Sequence, residues 1–103
     1  MDLVEVGDIF VAEWGYDQTN INFYKVTHKM KKAIKIVSIE RRVVEDRVQS
    51  SLVVPMPDHE VGEHMTKFPT EVNGRPVLRI ESFSTAVPWD GSPMAQTNAG
   101  WGH

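Results

Sequence analysis

The sequence predicts an all-β fold: a small antiparallel barrel of five to six strands, SH3-like in outline, with little or no helix. Three observations carry this. Short runs rich in Val, Ile, Phe, Trp and Tyr recur between turn-forming clusters at intervals of about 8–12 residues, the rhythm of small sandwiches and barrels. Asn73-Gly74 stands between two β-prone runs, the strongest short-range hairpin signal. No segment joins a helical period to an N-cap.

The first run, Gly7 to Trp14, opens on a Gly-Asp turn and is apolar on both faces, so it reads as a central strand. Residues Gly15 to Asn20 have turn chemistry, since Gly permits positive φ and Asp, Thr and Asn bond nearby backbone. A second strand follows over Ile21–Thr27, with Ile21 and Phe23 on one face and Tyr24 and Val26 on the other. His28 to Lys31 turns into a third strand, Lys32–Ile39, extended in bent form through Arg41-Arg42-Val43-Val44. Lys29–Val44 also holds good helix formers, but its dense Ile and Val and its missing cap favour strand. A fourth strand spans about Val48–Val54, and Pro55-Met56-Pro57 closes it because proline donates no N–H. Asp58 to Met65 reads as a loop or a single helical turn. Thr66–Val72 and Arg75–Phe83 are the arms of the Asn73-Gly74 hairpin, and Pro69 and Pro76 place that hairpin at a sheet edge. From Pro88 onward regular structure fades: Trp89 to Pro93 is a turn, and Thr97 to His103 is small, polar and Gly-rich. The expected organisation is a single β domain over 1–103 with 88–103 as its less regular tail.

Composition narrows the function classes. At 103 residues and 41% hydrophobic, the chain can build one modest core. It has no cysteine, which removes disulfides, thiolate nucleophiles and Cys-based zinc sites. The acidic start Met1 to Asp8 carries no apolar run and does not read as a signal peptide. No stretch approaches the ~20 apolar residues of a membrane span. The expectation is therefore a soluble protein of the cytoplasm. No Gly-x-Ser-x-Gly elbow, phosphate loop or dinucleotide fingerprint occurs. No enzyme, cofactor or metal is expected. The cluster Asp58 to His64 invites a metal, but His59 and His64 stand five apart, whereas helical zinc ligands need four, and a loop site would need a third ligand from elsewhere.

Two features remain for binding. The segment Trp14 to Tyr24 mixes amphipathic rings with side-chain amides, and Trp89-Asp90 adds a second aromatic turn. The candidate contact residues are Trp14, Tyr16, Asp17, Gln18, Asn20, Tyr24, Trp89 and Asp90. A structural reading competes: Gln18, Thr19 and Asn20 satisfy the backbone of a long turn while Trp14 and Phe23 enter the core. Charge is also uneven. Lys25 to Arg47 holds eight basic residues against three acidic ones, while the rest of the chain holds three against eleven. Lys25, Lys29, Lys31, Lys32, Lys35, Arg41 and Arg42 are the candidate phosphate contacts if the partner is single-stranded nucleic acid. The competing reading is a solvated hairpin whose lysines guard strand edges.

The run Trp14-Gly15-Tyr16-Asp17-Gln18-Thr19-Asn20-Ile21-Asn22-Phe23-Tyr24, with Ala86-Val87-Pro88-Trp89-Asp90-Gly91-Ser92-Pro93 and the closing Gly100-Trp101-Gly102-His103, resembles a family of short bacteriophage and prophage proteins. The resemblance spans most of the chain. It implies a phage accessory protein and assigns no active site. The expected function is a non-enzymatic module that binds a host or phage protein. The alternatives are a nucleic-acid-binding barrel and an oligomer, formed from copies of this chain, that sequesters a small molecule.

Overall fold

The computed structural model describes residues 3–15 and 18–97. Eight strands run β1 (Ile9–Trp14), β2 (Asn20–Lys29), β3 (Ile34–Asp46), β4 (Ser50–Lys67), β5 (Thr70–Val72), β6 (Arg75–Glu81), β7 (Ser84–Pro88) and β8 (Met94–Thr97), with no helix among the described residues. They form one antiparallel sheet in the order β5-β6-β7-β1-β2-β3-β4-β8. The all-β antiparallel class is as expected. The closed barrel of five to six strands is not: there are eight strands, and the sheet does not close.

The reason lies in the central strands. Side chains alternate faces along a strand, and β1, β2 and β3 are apolar on both. Phe10, Ala12, Tyr24, Val26, Ile34 and Ile36 face one way and form a cluster with Val4, Leu78 and Ala86. Val11, Ile21, Phe23, Val37 and Ile39 face the other way and pack with Val53, Trp89 and Met94. A barrel of this size has one interior and would leave one of these sets in water. The open sheet covers both: Leu78 of β6, Ala86 of β7 and Val4 join the first cluster, and Val53 of β4, Met94 of β8 and Trp89 join the second. Phe10, Phe23, Ile21, Leu78 and Val53 are all fully buried, each contributing roughly 1.5–3 kcal/mol. The central placement of the first strand follows the expectation, with β1 between β7 and β2.

Three local expectations change. Pro55 and Pro57 do not end the fourth strand, which continues to Lys67. β8 pairs with Ser50 to Val53, and among the described residues no strand pairs with the outer edge of β4 beyond Val53, so no ladder partner there misses a proline N–H. Asp58 to Met65 is therefore strand rather than loop or helical turn, with Glu60 opposite Ile39 and Met65 opposite Ile36. Register shifts absorb its extra residues. These bulges and the surrounding carboxylates blunt an exposed edge. β7 and β8 form where the sequence offered no strand signal; β8 is a short piece of the segment expected to be irregular.

The hairpin is where the sequence placed it. Val72 pairs with Arg75, and Asn73 and Gly74 have φ of 52° and 79°, both positive as a type I′ turn requires. Its strand β5 is the sheet edge. The first arm pairs only over Thr70–Val72, and the second turns at Ser82-Phe83 into β7.

Candidate functional site

The Trp14 segment divides between scaffold and surface. Trp14 ends β1 opposite Asn20. Its indole Nε1 donates to Asn22 Oδ1, and Asn20 Nδ2 donates to the Trp14 carbonyl at 3.4 Å. The two amides thus clamp the indole from its backbone and its polar edge. Trp14 keeps 36% of its surface exposed, and its ring lies 5.5 Å, centroid to centroid, from Phe83 at a tilt of 59°. Phe83, in the β6–β7 turn, is 65% exposed. Gln18, four residues after Trp14 in the chain, is exposed. Thr19 ties the segment to β8: the Thr97 amide donates to the Thr19 carbonyl at 2.9 Å, and the Thr19 amide to Thr97 Oγ1 at 2.8 Å. Tyr16 and Asp17 lie outside the described residues.

The other expected contacts are placed differently. Tyr24 is 7% exposed and belongs to the first cluster, so it is a core residue and not part of a recognition surface. Burial, with the Glu81 carboxylate adding to it, pushes its phenol above the usual value. Trp89 is half-buried against the second cluster, edge-on to Phe23 at 6.0 Å, and its Nε1 donates to the Ser92 carbonyl at 2.7 Å. It is scaffold. Asp90 Oδ1 accepts from the Ser92 hydroxyl at 2.7 Å and the Ser92 amide at 2.9 Å. Those bonds, the hydroxyl first, hold its carboxyl below the usual range and fix the turn that aims Trp89 inward.

Phe83 was missed. A single aromatic after Ser82 reads as the end of a buried arm, because its exposure depends on β7, which the sequence does not signal.

The basic residues do not gather on one surface. Lys25 Nζ lies 2.9 Å from Glu60 Oε2, and Lys29 Nζ lies 3.1 Å from Glu5 Oε1. Arg41 Nε donates to Gln96 Oε1 at 2.7 Å. Lys31 and Lys32 are exposed at the β2–β3 turn. Lys35 and Arg41 share one face of β3, Arg42 takes the opposite face by alternation, and buried Val37 and Ile39 separate Lys35 from Arg41. Two open surface clefts, of about 530 and 490 Å³, lie along β4–β6 and under the Asn73 hairpin. Neither includes a residue of the Trp14 segment.

Among the described residues no group of three or more His, Asp or Glu side chains is placed to hold a metal ion, and no helix is long and apolar enough to cross a membrane. No family model, curated protein or solved structure matches the chain.

Proposed function

We propose that this chain is a phage-type accessory protein that binds a host or phage protein in the host cytoplasm without catalysing a reaction, with Trp14, Phe83 and Gln18 at the contact. The observation that carries the reading is the exposed Trp14–Phe83 pair. Two large rings held against each other in water gain little for the fold. They offer a partner rigid apolar area at low entropic cost, as interface anchors do. The amide clamp on the indole fixes the Trp14 rotamer before any partner arrives. The phage assignment rests on the sequence motifs quoted above. Nucleic acid has less support, because Lys25 and Lys29 face carboxylates and the remaining cations are divided between faces.

The test places a photo-crosslinking residue at position 83 and exposes the protein to bacterial and phage-infected lysate. The expected result is one saturable adduct, competed by unlabelled protein and not by its Phe83→Ser variant. No saturable adduct, or equal competition by that variant, overturns the reading.

A further inference from the structure

Far from the aromatic pair, two irregularities in the sheet bring a set of polar side chains together. Consecutive strand residues point to opposite faces, but a register shift between Val26 and His28 interrupts that alternation at Thr27. His28 Nδ1 consequently reaches within 3.0 Å of Thr27 Oγ1. On β4, the shift around Gly62, whose φ is +83°, brings His64 in from the other side of β3. His64 Nδ1 lies 3.2 Å from the same hydroxyl oxygen. Two imidazoles from strands that do not pair therefore converge on one point, ring centroids 6.1 Å apart. Bulges commonly re-aim side chains toward functional sites.

The protonation pattern around that point is constrained. His64 Nε2 lies 3.4 Å from Glu60 Oε1. The other oxygen of Glu60 is held by Lys25 Nζ, which also donates to the Pro57 carbonyl at 2.7 Å. An ionised carboxylate only accepts, so the contact places the His64 proton on Nε2 and leaves the Nδ1 lone pair aimed at Thr27. The Thr27 hydroxyl has one proton to give and faces His64 Nδ1, His28 Nδ1 and the Lys35 carbonyl at 3.3 Å.

We propose that His28 and His64 together bind a divalent transition-metal ion of the zinc or nickel type, with Glu60 as the positioning residue behind His64. A carboxylate on the far nitrogen of an imidazole is the usual support of a metal-bound histidine, because it fixes the tautomer and raises ligand basicity. A tetrahedral ion with metal–nitrogen bonds of about 2.0–2.1 Å holds two ring centres roughly 5.2 Å apart. The rings stand 6.1 Å apart, so binding closes the pair by about 1 Å. Small side-chain rotations complete the approach, since both histidines are exposed. Imidazole pairs select zinc, nickel and copper over magnesium and calcium. With two protein ligands the site binds more weakly than a closed four-ligand centre and keeps positions for water or a partner's donor. His59, five residues before His64, stands apart from this cluster: its Nδ1 lies 3.6 Å from Glu40 Oε2.

Chelator-treated protein titrated with zinc chloride, followed by calorimetry and by histidine side-chain NMR, tests this. The expected result is one ion per chain, with the His28 and His64 resonances shifting and those of His59 unmoved. Affinity falls at least tenfold in His28→Asn and in His64→Asn, about tenfold in Glu60→Gln, and is unchanged in His59→Asn. Metal-free melting curves of the four variants, matched to the parent, separate loss of a ligand from loss of fold. Absence of binding, retention of affinity in either histidine variant, or dependence on His59 overturns the proposal.

Discussion

Trp14 and Phe83 are in contact, 5.5 Å between ring centroids, although one ends β1 and the other sits in the turn between β6 and β7. The β1–β7 ladder brings them together. It sets Ala12 opposite Ala86, and continued by two residues it brings Ser84, and with it the turn, beside Trp14. A surface feature is thus positioned by core pairing.

That origin predicts a separation of effects at Phe83. The Phe83→Ala substitution removes an exposed ring and is expected to change unfolding free energy by less than about 1 kcal/mol, measured by urea titration. Added unlabelled, the same variant is expected not to compete for the saturable adduct. A destabilisation of about 3 kcal/mol or more would instead make the ring a structural element.

Phe23 and Trp89 give the opposite case. Phe23 is 1% exposed, and Phe23→Ala is expected to cost roughly 3–5 kcal/mol. The half-buried Trp89→Ala costs about 2 kcal/mol on the same scale. Because the rings meet edge-on, a double-mutant cycle should return a coupling of roughly 0.5–1.5 kcal/mol. Strict additivity in the denaturation midpoints would contradict the packing.

Two glycines with positive φ should differ sharply. Gly74, at φ +79°, has open space around it, so Gly74→Ala costs only the backbone strain of about 1 kcal/mol. At Gly15, φ +130°, a Cβ would stand 1.9 Å from the Gln18 carbonyl oxygen. Gly15→Ala must rebuild the turn, and its melting temperature is expected to fall well below that of Gly74→Ala. Equal melting temperatures would refute the close approach.

The pH dependence of stability has a signed expectation at each end. The Tyr24 phenol is raised above 10.0 by burial and then by Glu81. Its contribution is therefore complete below the unfolded value and is lost as pH climbs from about 10 through the folded one. In Tyr24→Phe that part of the alkaline loss is expected to disappear. Glu60 is lowered from 4.5, chiefly by the hydrogen bond from Lys25. Its contribution is present above the unfolded carboxylate value and fades as pH falls through the folded one. The carboxylate is exposed, so its share of the acid loss is small, and Lys25→Met is expected to reduce it, the contact with His64 holding the rest. Chemical denaturation across pH, parent against variant, reads both.

Much of the fold could be read from particular residues. Ile9 to Ala12 is apolar on both faces, which a strand covered on both sides tolerates, and β1 lies in the middle of the sheet. Asn73-Gly74 fixed its own turn because its backbone preference is local. The segment around Pro55 and Asp58 to His64 could not be read in the same way. Proline and carboxylates discourage a ladder only if the strand has a neighbour on both sides, and whether β4 does depends on where β8 stops. For the site, Trp14 reads as amphipathic, but Tyr24 and Trp89 have the same chemistry, and Tyr24 is buried and Trp89 half-buried. Exposure is set by which strand lies above a ring.

The sequence alone determined the three central strands, the I′ hairpin and the two-faced character of the centre, because alternation, φ preference and apolar content act over a few residues. The tertiary structure alone decided that the sheet stays open, that Phe83 meets Trp14, and that His28 meets His64. Those outcomes depend on ladder register and bulges between distant strands, and register is a property of the paired sheet rather than of either segment.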